Sequence, residues 1–119
     1  MILTDFDESA VRNFLLTTSI PKYNLYPHIT EGEIHEYNLE QLKNSYKQKK
    51  LFISRSHTAI EAIVSYNILE WDSTHFGYKC AAIDQYFFNQ KLEYQNQINA
   101  FDTIISDILT FSKSEKVKF

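Results

Sequence analysis

Cysteine is almost missing from this chain: Cys80 is the only one. An internal disulfide is thereby excluded, and a reducing, cytoplasmic compartment is expected. Glycine and proline are nearly as scarce, with two of each, which excludes collagen-like and flexible low-complexity classes. No apolar run approaches the ~20 residues a membrane-spanning helix needs. The opening residues, Met1-Ile2-Leu3-Thr4-Asp5, lack the basic-then-apolar order of a signal peptide. No membrane partner is expected. Excess positive charge is absent too: the formal net charge is −3, so no nucleic-acid binding by bulk electrostatics is expected. Aromatic residues, by contrast, abound, with nine Phe, eight Tyr and one Trp in 119 residues. That length suits a single domain, 1–119, burying about two-thirds of its unfolded surface without covalent staples.

Periodicity supplies the elements. Phe6, Ala10, Val11 and Phe14 recur at helical spacing behind Thr4 and Asp7, a potential capping box, and predict a helix over 5–17. Pro21 and Pro27 bracket an aromatic loop. Asn38 followed by Gln41 reads as the start of a second helix, 39–50, with Leu39, Leu42 and Tyr46 on one face and lysines at its end. Residues 51–55 are short and apolar. Residues 59–70 alternate, with Ile60, Ala62, Val64, Tyr66 and Ile68 as the core face, so the two segments predict an antiparallel hairpin. A third strand is predicted over 78–84 and a long helix over 92–112, with a stripe of Ile98, Phe101, Ile105, Ile108 and Leu109. Lys116 to Phe119 alternate like the first half of a strand, which suggests that more sequence would follow. The order predicts an α/β (α+β) fold, a mixed, largely antiparallel sheet with about three helices packed on it.

Between the second and third strands lies the most distinctive stretch. Asp72 and Ser73 favour a turn by bonding nearby backbone, Gly77 tolerates positive φ, and Trp71 and Phe76 bring apolar area to its two ends. The residues Trp71-Asp72-Ser73-x-x-Phe76-Gly77, with His75 where many relatives carry a second Phe, resemble the motif in the N-terminal region of dTDP-fucosamine acetyltransferase-like proteins, members of the GNAT superfamily. The resemblance covers roughly residues 51–90. It implies that the chain is the N-terminal part of a longer GNAT-type protein. The reaction implied is acetyl transfer from acetyl-CoA to an amino group, in the nearest family that of a nucleotide-linked amino sugar. The motif residues Trp71, Asp72, Ser73, His75, Phe76 and Gly77 would be structural or lie on the acceptor side. The implied partner is a C-terminal GNAT domain or a second copy of the chain. GNAT enzymes hold the coenzyme pyrophosphate with a glycine-rich segment at a helix start. Here Gly32 and Gly77 stand in no such pattern, and Glu31 and Glu33 would repel phosphate. No cofactor site and no catalytic residue is therefore expected in this chain, with acetyl-CoA implied only for the full-length family. The alternative is a non-enzymatic interaction module or homodimer.

Other constellations read as ordinary structure. His28, Glu31, Glu33 and His35 have ligand chemistry for zinc or iron but no spacing that supports a metal site, and read as a solvated acidic loop. Asp72, Ser73 and His75 have triad residue types but lie too close in sequence for triad geometry. Cys80, with His75 or His57 as a partner for a thiolate, reads better as a small buried apolar group. Lys43, Lys47, Lys49 and Lys50 around Tyr46 read as a solvated helix end. Tyr23, Tyr26, Tyr37, Tyr86, Phe87 and Phe88 fall outside the periodic helices and suit a pocket, a sheet edge or the seat of a further domain.

Overall fold

A computed structural model describes residues 6–18, 29–56 and 59–119, Ser56 by its backbone alone. The elements run α1 (Glu8–Leu15), α2 (Glu31–Lys47), β1 (Leu51–Ser56), β2 (Ala59–Ile68), α3 (Glu70–Phe76), β3 (Lys79–Phe88), α4 (Tyr94–Glu115) and β4 (Val117–Lys118). The sheet order is β1-β2-β3-β4, antiparallel except for the parallel β3–β4 pair. The expected mixed, largely antiparallel α+β architecture is present, with a fourth, short helix added between β2 and β3. No helix among the described residues is long and apolar enough to cross a membrane.

The helix starts follow from their caps. Asp7 Oδ1 accepts from the Ala10 N–H, so Asp7 itself begins α1. Thr4 lies outside the described residues. The second helix begins eight residues before the expected position. Thr30, not Asn38, is its cap, with Oγ1 accepting from the Glu33 N–H at 3.2 Å. Arg12 of α1 reaches Glu36 of α2 with its Nε 2.9 Å from Oε1. Hydrogen bonding and charge hold the Glu36 carboxyl below its usual range and the Arg12 guanidinium above its own. The pair is exposed, so it registers the two helices more than it stabilises them.

Two cores lie on opposite faces of the sheet. On one face α1 and α2 supply Val11, Phe14, Leu15, Leu39 and Leu42, packed on Leu51, Ile53, Ile60 and Ile63. On the other, Ile104 and Ile108 of α4 meet Phe52, Ala62, Val64, Tyr66 and Ala81. The simple alternation along β2 is corrected at one point. Arg55 pairs with Ile60 while Ser54 pairs with Ala62, so Glu61 is an extra residue and Ile60 joins Ile63 rather than Ala62. A second bulge follows, because Ser65 pairs with Gln85 and Tyr66 with Ile83, leaving Asp84 extra on β3. Ser65 is fully buried there, and its hydroxyl accepts from the Gln85 N–H at 3.2 Å. The bulge thus leaves no unpaired donor at that position.

Tyr66 closes the α4 face. Its ring sits 5.4 Å from both Phe52 and Phe111 and 5.6 Å from Phe119. Its hydroxyl donates to the Lys49 carbonyl, 3.4 Å away. Burial first, and the Glu115 carboxylate second, push the phenol above its ordinary value of 10.0. A phenol that ionises more readily unfolded than folded leaves stability intact below the unfolded value. It withdraws stability as pH climbs through the folded one. Urea midpoints of wild type and Tyr66→Phe should therefore run parallel below about pH 9 and converge above about pH 10. A constant offset across that window would contradict the assignment.

Candidate functional site

The motif residues form a hinge between β2 and β3, and the hinge is a helix rather than a turn. Ser73 explains why. Its N–H and its Oγ both donate to the Leu69 carbonyl, at 2.9 and 2.7 Å, and the same Oγ accepts from the Cys80 N–H at 2.9 Å. Leu69 in turn donates its N–H to the Cys80 carbonyl at 2.8 Å. One hydroxyl therefore ties the first turn of α3 to the first residues of β3. Gly77 ends α3 in the left-handed region, φ 75°, with its N–H on the Ser73 carbonyl. A Cβ at Gly77 would meet no atom within 4 Å, so backbone conformation, not space, calls for glycine. Replacing Ser73 by Ala strands the Cys80 N–H and should cost about 1–2 kcal/mol in chemical denaturation. Faster exchange of the Cys80 amide should accompany it. Unchanged exchange would place the latch elsewhere.

The aromatics do not pin the hinge, contrary to the expectation from sequence. Trp71 is 71% exposed and Phe76 53%. The Trp71 and His75 rings stack at 4.8 Å with 8° between planes, as neighbours four residues apart on a helix do. His75 meets Phe76 edge-on at 5.0 Å, and Phe76 stacks on Tyr78 at 5.9 Å. Lys118 of β4 lies with its Nζ 5.0 Å from the Tyr78 ring centre. Tyr78 and Lys118 were not legible as members of this strip. Their neighbourhood depends on β4 pairing with Lys79 and Cys80. The result is a continuous exposed strip of four aromatic rings and one ammonium group. It offers flat apolar faces and a cation, and so suits stacking against a sugar or base beside negative charge.

Among the described residues, the other sequence candidates are not assembled into a reactive centre. Among the described residues no group of three or more His, Cys, Asp or Glu is placed to hold a metal. Glu31, Glu33 and His35 lie in α2 and not in a loop, and His28 lies outside the described residues. The His75 ring is engaged with Trp71 and Phe76, while Cys80 directs its S–H to the Tyr78 carbonyl at 3.7 Å. His57, Tyr23 and Tyr26 also lie outside the described residues. Lys43 sits 3.6 Å from Glu8, and Lys47 ends α2. Tyr37 and Tyr86 are exposed, whereas Phe87 and Phe88 pack half-buried on opposite cores.

Among the described residues, the start of α2 does not suit a coenzyme pyrophosphate. Glu31 and Glu33 occupy the first turn of α2, and Glu93 caps the backbone start of α4. The α2 carboxylates occupy the place where an anion would be stabilised, whereas at α4 the Glu93 side chain makes no capping hydrogen bond. No family model, curated protein or solved structure matches the chain.

Proposed function

We propose that this chain is the N-terminal accessory region of a cytoplasmic GNAT-type N-acetyltransferase, and that the α3 strip lies on its acceptor side. The observation that carries the reading is the exposed aromatic strip built by Trp71-Asp72-Ser73-x-x-Phe76-Gly77 at the joint of two antiparallel strands. Its stacked rings and Lys118 suit an amino sugar joined to a nucleotide, which combines flat faces with phosphate charge. The acetyl-CoA site would belong to a C-terminal GNAT domain, and this segment alone would be inactive.

Trp71 is the only tryptophan, so its fluorescence reports on the strip directly. A nucleotide-linked amino sugar should quench or shift that emission, and Trp71→Phe should abolish the signal. Acetyl-CoA should give neither calorimetric heat nor turnover. Unchanged emission at millimolar sugar nucleotide would overturn the acceptor-side assignment. Turnover by the purified chain would overturn its inactivity. The second reading, a non-enzymatic interaction module or homodimer, is favoured by the apolar side chains exposed along α4 and β3.

A further inference from the structure

The strip on α3 carries opposite charges at its two ends. On a helix of about 3.6 residues per turn, Asp72 falls between the Trp71–His75 row and Phe76, while Glu70 falls on the far side with Thr74. Asp72 is half-buried, and its carboxylate makes no hydrogen bond or ion pair with the described residues. An acid three residues after a helix cap ordinarily reaches back to the cap N–H. That N–H, of Leu69, is instead donated to the Cys80 carbonyl at 2.8 Å. The Ser73 hydroxyl closes the hinge without the carboxylate. A carboxylate held beside aromatic rings is the chemistry that receives an ammonium group.

At the other end stands Lys118. It pairs with Cys80, and Tyr78 lies two residues before Cys80, so in strand geometry the three side chains share one face. The ammonium therefore reaches the Tyr78 ring, 5.0 Å from its centre. Among the described residues no carboxylate forms an ion pair with Lys118. Val117, by contrast, is buried under α4, and its pairing partner Lys79 belongs to that other face. Between Asp72 and Lys118 the Phe76 and Tyr78 rings stack at 5.9 Å. A ligand spanning the strip then needs N–H donors or a cation at one end, a flat body, and an anion at the other. Turned end for end, it would set phosphate against Asp72 and ammonium against Lys118, and both contacts would repel. The strip therefore favours one direction of binding.

We propose that Asp72 is the specificity-determining residue of the strip, taking the free amino group of the acceptor sugar, and that Lys118 takes the diphosphate of its nucleotide. The inference rests on the acceptor-side reading and adds to it a direction and a group that tells an amino sugar from a plain one. Trp71 emission, titrated with three probes, tests it: UDP-glucosamine, UDP-glucose, which carries a hydroxyl in place of the ammonium, and UDP. UDP-glucosamine should bind about threefold more tightly than UDP-glucose, within the range of an exposed ion pair. Asp72→Asn should erase that preference and leave UDP-glucose binding as in wild type, whereas Glu70→Gln should preserve it. Lys118→Gln should weaken all three probes by about threefold while the preference for the amino sugar persists. Circular dichroism should be unchanged in each variant, since none of these side chains belongs to either core. Emission that responds to none of the probes would overturn the acceptor-side reading and this inference with it. Binding of both sugar nucleotides without preference, or a preference that survives Asp72→Asn, would overturn the role of Asp72 alone. Probe binding by Lys118→Gln equal to wild type would overturn the direction.

Discussion

Truncating Phe52 to Ala is expected to remove about 3–5 kcal/mol of folding stability. The ring is 1% exposed on β1 and faces α4. It touches Tyr66 at 5.4 Å and meets Phe111 edge-on at 5.4 Å with 79° between planes. The substitution therefore removes transfer energy, a cavity's worth of dispersion and two aromatic contacts together. A domain of this size has about 5–15 kcal/mol in total, so the midpoint of thermal unfolding should fall by tens of degrees. Urea unfolding monitored by far-ultraviolet circular dichroism tests it. A loss under about 1.5 kcal/mol would mean that α4 does not seat on β1 through this ring.

Leu42→Ala tests the opposite face and should cost about 2–4 kcal/mol. Leu42 is fully buried where α2 lies over the sheet, in the core that includes Leu39, Leu51 and Ile63. The sheet separates it from Phe52, so the two losses should add within about 0.5 kcal/mol. Their sum approaches the total stability of a small domain, and the double variant should be largely unfolded without denaturant. Strong coupling between the two would show that the faces do not act as separate cores. Neither substitution touches the Trp71 strip, so each folded single variant should keep the Trp71 emission spectrum of wild type.

The parts legible from sequence were those whose own side chains bury. The strand over 59–68 shows β-branched and aromatic alternation, and its buried residues follow from it apart from the bulge. The long helix was legible as a helix, but the stripe of Ile98, Phe101, Ile105, Ile108 and Leu109 is not its buried row: Ala100, Ile104 and Ile108 are buried, while Phe101, Ile105 and Leu109 are exposed. The first eight residues of α2 were missed because residues 31–38 have little apolar face, Ile34 being their one aliphatic residue. A signal was nevertheless present in Thr30 and Glu33, spaced as a capping box. The helix α3 was illegible for a different reason. None of its seven residues is buried, so no periodicity marks it, and what holds it is a hydroxyl bonded across seven residues to Cys80. The motif Trp71 to Gly77 could be noticed as a string. Its division of labour, with Ser73 as latch and the aromatics as exposed surface, could not.

By itself the amino-acid order determined the class of fold, the number of strands and the preference for helix or strand in each long segment, because apolar spacing is a local property that the chain carries before it folds. The tertiary structure alone decided which helix covers which face, where the bulges at Glu61 and Asp84 shift the side chains, and which aromatics remain in water. Those outcomes depend on pairings between residues distant in sequence, such as Lys79 with Val117. Whether an apolar side chain ends up as core or as an exposed row is settled only when every other element has taken its place.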